Sequence, residues 1–172
     1  MGRSSMSSAK LRSEIIAARD RRQELLEESL GRGCPATLFL SLNIPGPDKN
    51  PPGVKRLFSW ALRSLLCEYP DMENLAQGSD PLGPYAVILL NREASEVKRR
   101  CIAMETSQPF ARLVDFDIFD GNGQPLDRAA LGMSQRTCLL CSRPAVECIR
   151  LRRHGADELS GRRDELLAFF RD

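Results

Sequence analysis

Apolar residues recur along this chain with two periods, and where the period changes the element type should change with it. Leu11, Ile15, Ala18, Leu25 and Leu26 share one stripe of a helix predicted over about residues 8–30, which Gly31 and Gly33 end. Ala36 to Leu42 is apolar at odd and even positions alike, as expected of a central strand covered on both faces. Ile44 to Gly53 holds four prolines and two glycines and reads as a loop. Val54, Leu57, Phe58, Ala61, Leu62 and Leu65 then return to the helical period. Residues 68–84 read as loop, Tyr85 to Leu90 as a second buried strand, and Val97 to Met104 as a third, less apolar one. A fourth strand is predicted over Leu113 to Phe119. The turn signal Asp120-Gly121-Asn122-Gly123 follows it, and the chain returns through Gln124 to Leu126. A last helix from Ala156 carries Leu159, Leu166, Leu167 and Phe170. Early alternation of helix and strand followed by closely spaced strands predicts an α+β fold: a mixed, largely antiparallel sheet of about four to five strands with flanking helices.

Length and charge narrow the class. A chain of 172 residues fits one domain able to bury a core without disulfide staples. With 25 Lys plus Arg against 23 Asp plus Glu there is no global basic field, so no nucleic-acid partner is expected and any anion must be met locally. No apolar run approaches membrane-spanning length and the N-terminus lacks a signal-peptide core; a cytoplasmic protein with no membrane partner is expected. In a reducing compartment the six cysteines are expected to stay unbridged, with Cys34, Cys67 and Cys101 as core thiols.

Three places break the apolar pattern in ways that suggest chemistry. Arg22 falls on the apolar stripe of the first helix with Arg19 beside it; either the pair snorkels to a carboxylate such as Asp20 or Glu24, or it meets phosphate. The proline-rich loop delivers Lys49, Lys55 and Arg56 to a helix N-terminus, where free N–H groups favour anions. Asp115 and Asp117, at i and i+2 of a strand, point to one face while Val114, Phe116 and Ile118 point to the other. Two like charges so placed raise each other's proton affinity unless a cation joins them. Such a pair suits Mg²⁺ on a phosphate, though an ordinary exposed sheet face also explains it.

The fourth irregularity is a cluster. Cys138, Cys141, Cys148 and His154 follow C-x₂-C-x₆-C-x₅-H, which can supply a tetrahedral Cys₃His zinc site; the other reading is a set of reduced thiols beside a solvated histidine. With all four ligands protein-derived, such a site is closed and structural. Little structure is expected between Cys141 and Cys148.

Arg19-Asp20, Arg22-Gln23, the Asn43 to Pro47 turn with Lys49, Arg56, Lys98, Glu105, Pro109, Arg112-Leu113, Asp115-x-Asp117 and the Arg136 to His154 cluster, taken together, resemble the citrate lyase holo-acyl-carrier-protein synthases, the apo-citrate lyase phosphoribosyl-dephospho-CoA transferases. The resemblance runs from about Arg19 to the C-terminal helix. It implies a nucleotidyltransferase that moves 2′-(5-triphosphoribosyl)-3′-dephospho-CoA onto a serine of the apo citrate lyase acyl carrier protein (the gamma subunit) and releases diphosphate. With it, Asp115 and Asp117 are expected to hold Mg²⁺ as the catalytic pair. Arg19, Arg22, Lys49, Arg56, Lys98 and Arg112 are expected to line the triphosphate and dephospho-CoA. Glu105 is either a further acidic ligand or base, or half of an ion pair. Many relatives carry His and Gly where this chain has Gln108 and Ala111, which would remove a candidate acid or base and place a methyl group where backbone would approach a phosphate. The alternatives are the same transfer to a malonate decarboxylase carrier protein, or a non-catalytic Cys₃His interaction module. The expected organisation is a single domain, residues 1–172: 1–8 disordered, 9–135 the catalytic α+β core, and 136–172 the Cys/His cluster with the C-terminal helix.

Overall fold

The computed structural model describes residues 8–170; of the residues 1–8 expected to be disordered, 1–7 lie outside the described residues and Ser8 begins the first helix. A five-stranded antiparallel sheet of order β2-β3-β1-β4-β5 is built from β1 (Ala36–Leu42), β2 (Glu73–Asp80), β3 (Gly83–Leu90), β4 (Val114–Asp120) and β5 (Pro125–Leu126). Around it lie α1 (Ser8–Leu30), α2 (Val54–Glu68), α3 (Ala94–Ser107), the short α4 (Ala145–Arg150) and α5 (Ala156–Leu167).

The central position of β1 follows from its composition. Leu38, Leu40 and Leu42 face the main core together with Ala86, Ile88 and Leu90 of β3 and Val114, Phe116 and Ile118 of β4. Against that face pack Val54, Leu57, Phe58, Ala61 and Leu65 of α2, Ala94, Val97 and Cys101 of α3, and Leu166 and Leu167 of α5. Each fully buried apolar side chain contributes about 1.5–3 kcal/mol, so this layer supplies most of the fold's stability. Thr37, Phe39 and Ser41 point to the opposite face, with Tyr85 of β3 and Asp115 and Asp117 of β4, and α1 lies over it.

Two expected elements differ. Residues 68–84, read as loop, contain β2; its sequence Glu-Asn-Leu-Ala-Gln-Gly-Ser-Asp is polar because it is an edge strand, paired only with β3 and largely solvated. Val97 to Met104, read as a strand, belongs to α3, started by the Glu93 carboxylate accepting the backbone N–H of Glu96. Its buried positions include Val97, Lys98, Cys101, Ile102 and Glu105, a helical period hidden by two buried charges. The Cys141–Cys148 segment is also more ordered than expected, because α4 carries Cys148. All six cysteines are free, and Cys67 is exposed at the end of α2, so it is not a core thiol.

α1 is tied down by one polar anchor. The Arg22 guanidinium donates to both carboxylate oxygens of Asp80 at 2.8 Å and to the Gly83 carbonyl at 2.7 Å, and it stacks over the Tyr85 ring at 4.5 Å. Its partner is therefore on the β2–β3 hairpin and is neither Asp20 nor Glu24. Both members of the pair are 12% exposed, so removing one strands a desolvated charge. We expect Arg22→Ala to lower unfolding free energy by about 2–3 kcal/mol. In denaturant melts Arg22→Ala/Asp80→Ala should recover part of that loss; equal losses would remove the stranded charge as the cause.

Candidate functional site

β4 and β1 place the candidate site along the α1 face of the sheet. Asp117 lies across from Phe39, and Asp115 across from Ser41. Asp117, exposed on β4, lines a groove of about 270 Å³ together with Arg19, Arg22, Gln23, Leu26, Phe39 and Phe119. Among the described residues its carboxylate accepts no hydrogen bond and forms no ion pair, although it opens to the groove. Removal from bulk water raises its pKa most. Repulsion from Asp115 adds to this and Lys98 opposes it; Glu105 and Arg136 follow with smaller opposing effects, and the result is about 6.

Asp115 is paired. Arg136 Nη1 donates to Asp115 Oδ1 at 3.1 Å, while its Nη2 donates to the carbonyls of Arg112 and Val114 at 2.9 and 2.6 Å. Lys98, buried on α3, donates to the Phe116 carbonyl at 2.7 Å. It reaches that oxygen because β5 is short and pairs only with Ile118 and Phe119, leaving the edge of β4 open beyond them. Glu105 accepts from Arg128 at 2.6 Å and is 4% exposed, which resolves its two readings in favour of an ion pair. Ala111 packs in the main core, so its methyl group does not approach the groove; Gln108 is exposed where α3 meets the turn at Pro109.

The other expected binding residues divide between places. Arg19, with no partner among the described residues, and Arg22 stand beside Asp117. Lys49 donates to the Ile44 carbonyl at 2.6 Å, and its pKa is lowered by burial and then by Arg163. Arg112 donates through Nη2 to the Thr137 carbonyl and hydroxyl and to the Cys138 carbonyl, at 2.9, 3.0 and 2.6 Å. Lys49 and Arg112 share a second cavity, further along the same strand pair. Arg56 is not brought to either: it lines a separate hollow at the start of α2 and reaches the Phe170 carbonyl at 3.4 Å.

Cys138, Cys141, Cys148 and His154 converge, with all four candidate ligand atoms within 4.8 Å of one another. Cys141 Sγ lies 3.5 Å from both Cys148 Sγ and His154 Nε2. A tetrahedral zinc with Zn–S of about 2.3 Å sets sulfur atoms about 3.8 Å apart, so the spacing fits. A tight turn, closed by the Cys138 N–H on the Arg143 carbonyl at 2.7 Å, aims the first two thiols inward, and the Leu140 N–H faces Cys138 Sγ at 3.5 Å. Burial acts to raise the Cys138 pKa, but the backbone N–H groups of Leu140 and Cys141 outweigh it and hold the thiol below its usual value. Burial and the neighbouring sulfurs push Cys148 up to about 12.

Arg136 was not singled out as a site residue by the sequence reading. The available signal was its place immediately before Thr137-Cys138, which lets one side chain tie the Cys/His module to Asp115.

A family model described as apo-citrate lyase phosphoribosyl-dephospho-CoA transferase matches residues 11–169. The Streptococcus pyogenes serotype M18 protein named probable apo-citrate lyase phosphoribosyl-dephospho-CoA transferase is 31% identical over 165 residues, covering 92% of this chain and 85% of its own. Proteins named apo-citrate lyase phosphoribosyl-dephospho-CoA transferase from Citrobacter koseri and from Escherichia coli O139:H28 are each 29% identical, over 161 and 158 residues, covering 90% of this chain and 86% of their own. Among the described residues no helix is long and apolar enough to cross a membrane.

Proposed function

This chain belongs to the apo-citrate lyase phosphoribosyl-dephospho-CoA transferase family, and we propose that it is a nucleotidyltransferase moving the phosphoribosyl-dephospho-CoA group from its 5-triphosphate to a serine of the apo citrate lyase acyl carrier protein. In the reaction the serine hydroxyl attacks the α-phosphorus, a phosphodiester forms, the bond to the β-phosphate oxygen breaks, and diphosphate leaves with the serine proton released to water. The observation that carries this reading is Asp117: a carboxylate without a partner, held beside Asp115 in a groove with Arg19 at its rim.

Such a donor set fits Mg²⁺. Asp115 and Asp117 would hold the ion, which when bound neutralises charge on the phosphates. Arg19 faces the triphosphate across the groove, and Arg22 keeps α1 in register with it through Asp80. Arg136 balances the charge of Asp115, leaving Asp117 as the stronger unpaired donor. The Cys₃His set is assigned to a structural Zn²⁺, and the reaction to the cytoplasm, where the thiols remain reduced.

The test is intact-mass spectrometry of the apo carrier protein incubated with this protein, Mg²⁺ and triphosphoribosyl-dephospho-CoA. A mass gain equal to the prosthetic group is expected; an unchanged carrier in the presence of folded protein refutes the assignment.

The raised pKa of Asp117 sets a direction in pH. The carboxyl is protonated below about 6 and ionised above it, so Mg²⁺ affinity and transfer should both rise as pH increases through that value. Below it, Mg²⁺ affinity should fall about tenfold per pH unit as the proton competes for the ligand. A pH-independent Mg²⁺ affinity between pH 5 and 7, on either side of that titration, excludes Asp117 as a ligand.

A further inference from the structure

A cavity of about 440 Å³ lies between the Asn43 to Lys49 loop, the Cys/His module and the start of α5. That size suits an organic ligand rather than a lone ion. Ile44, Leu139 and Leu159 give it an apolar wall, and Lys49, Arg112, Arg136 and Arg152 give it a cationic one; no carboxylate is among the described residues that line it. Arg163 fixes the loop side, donating to the Pro45 carbonyl at 2.9 Å across Gly46, whose φ of 93° and lack of a side chain permit that approach.

Three of the four cations already donate to protein oxygens: Lys49 to Ile44, Arg112 to Thr137 and Cys138, and Arg136 to Asp115 and β4 carbonyls. The Arg152 N–H donates to the Ile149 carbonyl at 3.2 Å, but its guanidinium has no hydrogen bond or ion pair among the described residues. Arg152 also has a φ of 46°, just past the C-terminus of α4, where a glycine is the usual occupant. An L-residue in that region costs roughly 1 kcal/mol. The chain therefore keeps a guanidinium where folding alone favours glycine.

We propose that this cavity binds the diphosphate and pantetheine half of dephospho-CoA, with Arg152 on the diphosphate and the apolar wall along the pantetheine arm. This rests on the transferase reading and adds a subsite to it. The position agrees with the chemistry. β4 carries Asp117 and Asp115 and is preceded by Arg112, and β1 carries Phe39 and Ser41 and is followed by Asn43, so the cavity lies just past the ends of the two strands that hold the acidic pair. Arg136 touches both, bonding Asp115 while lining the cavity. A substrate whose triphosphate and CoA ends are joined through ribose units has its two ends met by two adjacent sites of matching character.

Calorimetric titration of the metal-loaded full chain with dephospho-CoA tests this without carrier protein or turnover. Arg152→Gly suits the conformation of the backbone and removes only the side chain, so melting temperature should hold or rise while Kd for dephospho-CoA increases about 10- to 100-fold. Arg152→Gln should show the same loss and Arg152→Lys should restore part of the affinity. Inhibition of transfer by inorganic tripolyphosphate should not change in any of the three. Failure of the native protein to bind dephospho-CoA at millimolar concentration, or equal binding by Arg152→Gly, overturns the subsite. A carrier that gains no mass from the native protein would instead overturn the transferase reading, and the titration distinguishes the two failures.

Discussion

Replacing Asp117 with asparagine is expected to lower the transfer rate by about 10³-fold or more while leaving the melting temperature unchanged or slightly raised. The two halves of that expectation have one origin. Asp117 accepts no hydrogen bond among the described residues and is exposed toward the groove, and partial desolvation there, with repulsion from Asp115, raises its carboxyl to about 6. A group whose folded pKa is raised favours the fold most at low pH and opposes it increasingly as pH rises through the shifted value, so a neutral amide of the same shape removes a liability. What the amide also removes is the charge that would hold Mg²⁺ against the triphosphate. Asp115→Asn behaves differently, because it deprives Arg136 of its carboxylate and should loosen the Cys/His module as well. Mass gain of the apo carrier protein per unit time, with Mg²⁺ titrated in parallel, measures both variants. A near-normal rate for Asp117→Asn would take this carboxylate out of the mechanism.

How much of this was legible in the sequence depended on whether a segment's hydropathy reports its own burial. β1 and β3 are covered on both faces and read as continuous apolar runs, and α2 has one clean stripe, so their types could be read directly. β2 was missed because an edge strand buries little and its pairing energy is carried by backbone, which has no sequence signature. α3 was mistaken for a strand because Lys98 and Glu105 occupy its inner face. Their partners, the Phe116 carbonyl and Arg128, lie 18 and 23 residues away, beyond the reach of any local pattern. The acidic pair and the convergent Cys/His set stood out as candidates because such chemistry asks for particular residue types at particular spacings. The candidate binding cations were harder: Arg19 and Arg22 stand together by helical period, but whether an arginine meets phosphate or a protein oxygen is set by tertiary contacts. Arg152 stood out only through its backbone, which no composition records.

Stripping the zinc proposed for the Cys₃His set, by chelation or by Cys148→Ser, is expected to release residues 136–154 from the core and reduce transfer by at least about 100-fold while the sheet remains folded. The module holds few apolar anchors of its own: Cys138 and Cys148 are buried and Leu139 packs against the core, but Val146, Ile149 and Leu151 are exposed. Its ties to the sheet are the Arg112 bonds to Thr137 and Cys138 and the Arg136 bonds to Arg112, Val114 and Asp115. Such bonds contribute about 0.5–1.5 kcal/mol each, against roughly 1–2 kcal/mol of backbone entropy for every residue ordered. The balance is unfavourable over this segment without a further source, and a structural zinc supplies an apparent binding free energy of about 10–16 kcal/mol. Loss of order there would free Arg136 from Asp115 and remove one wall of the Arg152 cavity, which Cys138, Cys148 and His154 help to line, so the acidic pair and the CoA subsite would fail together. Hydrogen exchange should show fast amides across 136–154 with β1, β3 and β4 still protected, and elemental analysis of the native protein should return one zinc per chain. Unchanged exchange and unchanged transfer in metal-free protein would mean that the thiols fold this segment without a cation, and the coupling between module and acidic pair would then rest on the two arginines alone.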